Sequence, residues 1–237
     1  MKITKILLLA SALVLLSPTG SAVVPSGCSP CLWYAGDFNP GNPIASFLAN
    51  ANHTFDSFKA QVWVPFIPAS DGNPLHKHVL ITAVTFNQLT NTPDTNPPAD
   101  FGGMTYGFRT GVSSGKSGTS GKHGKCPTTS IIYTGDSPFG YNEFSYTCIL
   151  TTIPVKVPVG TITWVNLLPT FTVSETAWLS DAVDVPVGDQ LGWSDDFYNS
   201  FIDSVSLGFS FAPANTACGL AGGCSQFAVA IAGTYVL

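Results

Sequence analysis

Residues Gly111 to Cys126 read GVSSGKSGTSGKHGKC and contain two patterns that could do chemistry. Gly111-Val-Ser113-Ser-Gly115 fits G-x-S-x-G, the motif in which a strained strand-to-helix turn exposes a serine nucleophile. Gly115-Lys116-Ser117 matches the end of a phosphate-binding loop. Neither has the surroundings its chemistry requires. A nucleophile elbow must open a helix, and Gly115 to Gly121 is built from glycine, serine and threonine, which disfavour one. An acid and then a histidine should follow the serine. The sole histidine after Ser113 is His123, with no Asp or Glu between them. The phosphate loop G-x-x-x-x-G-K has one more residue between its glycines than separates Gly111 from Gly115.

What remains is charge. Arg109, Lys116, Lys122 and Lys125 gather near His123 in this stretch. The plain reading is a solvated hairpin tip that lysine and glycine keep soluble and unpaired. The functional alternative is a cationic finger for an acidic polysaccharide or a phosphate-bearing surface, with Lys116, Lys122 and Lys125 as its binding residues.

Three other groups could bind. His76-Lys-His78 would place two imidazoles on one face of a strand, half of a metal site, but no acid or further histidine lies close in sequence. A surface pair on an edge strand is the preferred reading. Six acids fall between Asp181 and Asp203, and calcium favours carboxylates and carbonyls on loops. No EF-hand spacing is present, so the segment reads first as a solvated loop, with Asp195 and Asp196 as candidates for a structural calcium ion. No other cofactor is expected. Trp33, Tyr34, Trp178, Trp193 and Tyr198 fall in or near irregular segments, where aromatic rings can stack on sugars. Trp193 and Tyr198 are the binding candidates, whereas Trp63 and Trp164 lie within strands and are expected in the core. An enzyme would need paired carboxylates, and Asp195 or Asp196 opposite Asp37 or Glu143 are the pairs to examine.

The elements that must position these residues are strands. Met104, Tyr106 and Phe108 alternate with Thr105, Gly107 and Arg109; Phe144, Tyr146, Cys148 and Leu150 alternate with polar neighbours; Leu207, Phe209 and Phe211 alternate with serine and glycine. Such period-two patterns describe strands with one face in a core. Lys59 to Phe66 (Ala60, Val62, Val64 and Phe66 inward), His78 to Phe86, Thr129 to Tyr133, Thr161 to Leu168 and Gln226 to Val236 are further strands. Ile44 to Asn50 and Asp195 to Ile202 are the places for a short helical turn. The expected fold is all-β, an antiparallel two-sheet β-sandwich of jelly-roll type, stabilised by disulfides. With only 10% charged residues, 23 glycines, 18 prolines and 16 phenylalanines, the composition is that of strands and turns.

The chain opens with Lys2 and Lys5, an apolar run from Ile6 to Leu16, and small residues at Gly20 and Ala22. This is the pattern of a secretory signal over residues 1–22, and the run is too short to span a bilayer. Cleavage after Ala22 would leave residues 23–237 as one sandwich domain, with no membrane span. That portion carries 7 basic against 14 acidic residues, which argues against nucleic acid as a partner. Its six cysteines, in an oxidising compartment, argue for disulfides. Sequence order suggests Cys28–Cys31, Cys126–Cys148 and Cys218–Cys224, with other pairings open.

The blocks FRTGVSSGKSG, TGDSPFGYNEFSYTC, VPVGTITWVNLLP and GWSDDFYNSFIDS resemble those of secreted bacterial β-sandwich exoproteins of the PEP-CTERM-associated type, from about Trp33 to Leu237. The resemblance implies a sandwich fold and a place outside the cell, and no catalytic residue. The Pro-Glu-Pro sorting tail of that group is not found in this sequence. The expected function is that of a secreted, non-enzymatic surface or matrix protein binding an extracellular polysaccharide or cell-surface polymer through its loops. A purely structural exoprotein and a glycoside-acting enzyme are the alternatives.

Overall fold

The computed structural model describes residues 28–34, 52–53, 61–90, 101–134, 142–171, 177–179, 200–204, 208–214 and 227–237. Residues 1–22, the stretch Ile44 to Asn50 where a helical turn is expected, and Asp37, Ala60, Trp193, Asp195, Asp196, Tyr198, Leu207, Cys218 and Cys224 lie outside the described residues.

Fourteen strands follow one another among the described residues. They are β1 (Cys31–Tyr34), β2 (Asn52–His53), β3 (Gln61–Phe66), β4 (His78–Thr90), β5 (Phe101–Thr110), β6 (Thr119–Lys125) and β7 (Thr128–Tyr133). Then come β8 (Asn142–Ile149), β9 (Val155–Pro158), β10 (Thr163–Phe171), β11 (Ala177–Leu179), β12 (Phe201–Ser204), β13 (Phe209–Pro213) and β14 (Val229–Val236). They form two sheets. The first runs β1-β14-β4-β8-β7, with β9 and β11 also pairing with β4. The second runs β13-β12-β3-β10-β5-β6. Every pairing is antiparallel except the two-residue contact of β2 with β10.

The 13-residue β4 is the spine of the first sheet. It pairs with β14 along one edge, and with β9 and then β8 along the other. Its Val79, Ile81, Val84 and Phe86 enter the core together with Phe144, Tyr146 and Cys148 of β8. Facing them are Val62, Val64 and Phe66 of β3, Met104, Tyr106 and Phe108 of β5, and Val165, Leu167 and Phe171 of β10. The inward sets expected from alternation in β3, β5 and β8 therefore hold. Each such side chain contributes about 1.5–3 kcal/mol by leaving water.

Two disulfides are present, Cys28–Cys31 and Cys126–Cys148. Cys126 stands where the chain leaves β6 in one sheet to begin β7 in the other, and its N–H donates to Met104 O. Cys148 is fully buried on β8, so this bond ties the crossover into the core between the sheets. The shorter bridge packs with Tyr34, Ala83, Ala230 and Ala232 in a separate cluster. No helix among the described residues is long and apolar enough to cross a membrane. Both features are compatible with an extracellular protein.

Several expectations need correcting. Thr119 to Lys125 is not loop but the edge strand β6, because pairing with β5 overrides the poor strand propensity of its glycines. The end of the expected helical turn, Phe201 and Ile202, belongs to β12. Trp33 and Tyr34 sit in β1 and are buried, so they are unavailable for stacking on a ligand. Phe211 does not follow Phe209 inward. A register shift lies between Ile202 and Ser204 of the facing strand, and Phe211 adopts a φ of 44°, rare for a bulky residue. It thereby joins a cluster with Trp63, Val112, Trp164 and Phe201, while Phe209 packs on the main core.

His76 is not on a strand. It lies in the turn before β4, where its Nδ1 meets Asp71 Oδ2 at 2.7 Å and its ring stacks on Tyr235. His78 opens β4 between β14 and β9, not on an edge. Among the described residues no three His, Cys, Asp or Glu side chains are grouped to hold a metal.

Candidate functional site

The residues of the opening stretch have structural work to do. Gly111, Gly115 and Gly118 have φ of 66°, 72° and 64°, the left-handed region that favours glycine. Ser113 N–H donates to Lys116 O and Lys116 N–H to Ser113 O, closing a tight turn around Ser114 and Gly115. The G-x-S-x-G spacing is thus the spacing of left-handed turn positions. Val112 is buried in the cluster of Trp63, Trp164, Phe201 and Phe211, and Gly115 N–H donates to Phe211 O. The loop is not a free tip: it folds back over the outer face of the second sheet.

That face carries the site. On β3, the Val62, Val64 and Phe66 set points inward, so Gln61 and Trp63 project outward. The same alternation turns Thr105, Gly107 and Arg109 of β5 and Asn166 and Leu168 of β10 to the outside. Register places Lys125 beside Thr105, His123 beside Gly107 and Ser120 beside Arg109. Together these residues, apart from Lys125, line a hollow of about 290 Å³. Its volume is near the lower end of small-ligand pockets, about 300–1,000 Å³, which suits one small polar unit or one unit of a chain.

Sequence explains the shape. The β3–β10 ladder ends at the Val64/Val165 pair, and beyond it the Asn166 side-chain amide donates to Val62 O at 2.8 Å. Gly107 pairs with Asn166 from the other side. A Cβ there would lie 2.9 Å from Cη2 of Trp63, so the indole reaches across the sheet and rests where Gly107 has no side chain. A glycine inside a strand is the signal for such a close approach.

Over the indole lies Arg109. Its guanidinium carbon is 4.7 Å from the Trp63 ring centre and 5.4 Å from that of Phe211, within cation–π range. Nη1 donates to Ser117 O at 3.2 Å. Two buried donors remain without an acceptor, Arg109 Nε–H and Trp63 Nε1–H. The one ion pair among the described residues is His76–Asp71, so none of the described carboxylates stands at ion-pair distance from Arg109. Among the described residues no Asp or Glu lines the hollow.

Asp203 of β12 feels the charge of Arg109 from outside the hollow. Burial pushes its carboxyl above the usual value, opposed by Arg109 and by the Phe211 N–H. Its ionised form is therefore less favourable in the folded chain than in the unfolded one. Stability from this group is full below the ordinary carboxylate range and is lost as pH rises through the raised folded value. Asp203→Asn is expected to raise the midpoint of urea unfolding at pH 7 and to leave it unchanged at pH 3. Solvent exposure holds the gain below about 1 kcal/mol. Equal shifts at both pH values would mean that the carboxylate charge is not the cause.

The expected site residues separate. Lys116 lies in the turn, and Lys125 shares the outer face with His123. Lys122 reaches away, its Nζ donating to the Ile153 and Pro154 carbonyls at 2.9 and 3.2 Å. The three lysines make no common finger. Trp193, Tyr198, Asp195 and Asp196 are outside the described residues, and only the backbone of Trp178 is described, in β11. Glu143 is buried on the first sheet, where Thr134 donates to its Oε2 at 2.8 Å. The signals that could have found the hollow were Trp63 out of phase with Val62 and Val64, Asn166 inside an apolar run, and Gly107 inside a strand.

Fold and site together define an antiparallel two-sheet β-sandwich with a donor-rich hollow on one outer sheet face. No protein-family model, no curated protein and no solved structure matches the chain.

Proposed function

We propose that the protein is an exported, non-enzymatic surface or matrix protein that binds carbohydrate on the outer face of its second sheet. The observation that carries this reading is the hollow itself. Side-chain amides, hydroxyls, an imidazole and a guanidinium converge there around Leu168 and an indole edge. That mixture of fixed polar groups and apolar surface suits a ring bearing several hydroxyls. Export is supported by the leader-like first 22 residues, by the two disulfides and by the resemblance to secreted exoproteins.

The test is retention of the exported protein on a panel of insoluble polysaccharides and soluble glycans, with calcium and then with EDTA. Retention is expected, and Thr105→Trp, which fills the hollow from its half-buried side, should reduce it at least about 10-fold while near-ultraviolet circular dichroism is preserved. Lys116→Ala in the turn should leave it unchanged. Loss of retention in Lys116→Ala alone would move the site to the loops, and loss in EDTA would bring in a metal at the acidic segment. No retention on any glycan would leave a purely structural exoprotein as the reading.

A further inference from the structure

The donor set of the hollow says more about the ligand than that it is a sugar. Arg109 is half-buried between two aromatic rings, and a cation partly withdrawn from water favours a counter-charge; Asp203, which feels it, stands outside the hollow. Among the described residues its one protein acceptor is the Ser117 carbonyl, which is neutral and takes Nη1. Arg109 Nε–H is buried and unpaired, and so is Nε1–H of Trp63, a residue 5% exposed. Both residues line the same hollow, whose described lining holds no carboxylate. An unmade hydrogen bond at a buried donor is costly, so two of them beside a guanidinium with no ion-pair partner among the described residues describe a place prepared for an acceptor-only anion. A carboxylate has two oxygens and no donor, and it forms its strongest hydrogen bonds to guanidinium. The cationic site is local: the chain beyond residue 22 carries 7 basic against 14 acidic residues.

We infer that the hollow takes the carboxylate of an acidic sugar, a uronic acid unit, against Arg109 and Trp63. This rests on the carbohydrate-binding reading above and narrows it. The ring would lie toward Leu168 and Asn166, with His123 and Ser120 at the exposed rim.

The test is a calorimetric titration of the exported protein with oligogalacturonate, with the same oligomer after reduction of its carboxyl groups, and with a sulfated neutral oligomer. Oligogalacturonate is expected to bind roughly 10- to 100-fold more tightly than its reduced form, the weight of a charge-assisted hydrogen bond. The advantage should shrink as salt is raised. Arg109→Gln should abolish the difference. Should that variant fail to fold, Trp63→Phe removes the indole donor while keeping an aromatic ring, and should lower oligogalacturonate affinity several-fold more than that of the reduced oligomer. In the 15N-labelled protein, the indole N–H resonance missing from Trp63→Phe should shift when oligogalacturonate is added. Equal affinity for the acidic and reduced oligomers would overturn the inference and leave carbohydrate binding standing. Preference for the sulfated oligomer would overturn the carboxylate assignment. Binding of none would take down both readings together.

Discussion

Gly118→Ala is expected to destabilise the protein by about 3 kcal/mol, read as a lower midpoint in urea unfolding. Two effects add at this position. With φ of 64°, any L-residue is strained there by about 1–2 kcal/mol. In addition, a Cβ would lie 2.2 Å from Thr110 O, 2.7 Å from Gly111 C and 2.8 Å from Val112 N, all backbone atoms that cannot rotate away. The turn must open to admit the methyl. Opening it withdraws Val112 from the cluster of Trp63, Trp164, Phe201 and Phe211, and moves the Ser117 carbonyl that holds Arg109. Gly115→Ala is the control. Its φ is 72°, but nothing lies within 4 Å of its Cβ, so it should cost only the conformational part, about 1 kcal/mol. Equal losses in the two variants would show that the loop does not fold tightly on the sheet. The same substitution should weaken any ligand held by Arg109, while Gly115→Ala should not.

Replacing Cys126 and Cys148 together by alanine is expected to cost about 3 kcal/mol and to lower Tm on the order of 10 °C. The bridge spans a sequence separation of 22, and closing that loop removes freedom from the unfolded chain. Cys148 adds to this because its sulfur is fully buried among core residues, and alanine leaves a void there. The Cys28–Cys31 bridge spans a separation of only 3, so its removal should cost under about 2 kcal/mol. The two double variants can be compared by calorimetry. A larger loss from the short bridge would mean that the crossover between β6 and β7 is held by packing and not by the disulfide. Because the crossover leads directly from β6, its release should also loosen His123 and Ser120 at the rim of the hollow.

The strand faces were legible because alternation is a local property. Met104, Tyr106 and Phe108, like Phe144, Tyr146 and Cys148, show their inward side without knowledge of any partner. Cys28–Cys31 and Cys126–Cys148 were legible as neighbours in sequence order. Local pattern misled where long-range contacts override it. Phe211 alternates with Ser210 as an inward residue should, yet the register shift opposite it and the incoming Gly111–Gly118 loop turn it outward. Thr119 to Lys125 has no strand signal of its own and becomes one by pairing with β5.

The charged stretch shows the same division for the site. Its lysines drew attention as a group, but a β-strand sends neighbours to opposite faces, and the irregular register between Gly107 and Arg109 changes which of them share one. Arg109, read as one of four cations, is the one that meets aromatic rings.

By itself, then, the amino-acid sequence determined an all-β sandwich and most of its inward residues, since both are written in spacing along the chain, and sequence order suggested, without fixing, the two local disulfides. Tertiary structure alone decided the hollow. Its walls come from Gln61, Trp63, Gly107, Arg109, His123 and Asn166, on four strands whose order in the sheet differs from their order in the chain. Strand order and register are set by long-range pairing, which no local pattern of residues encodes.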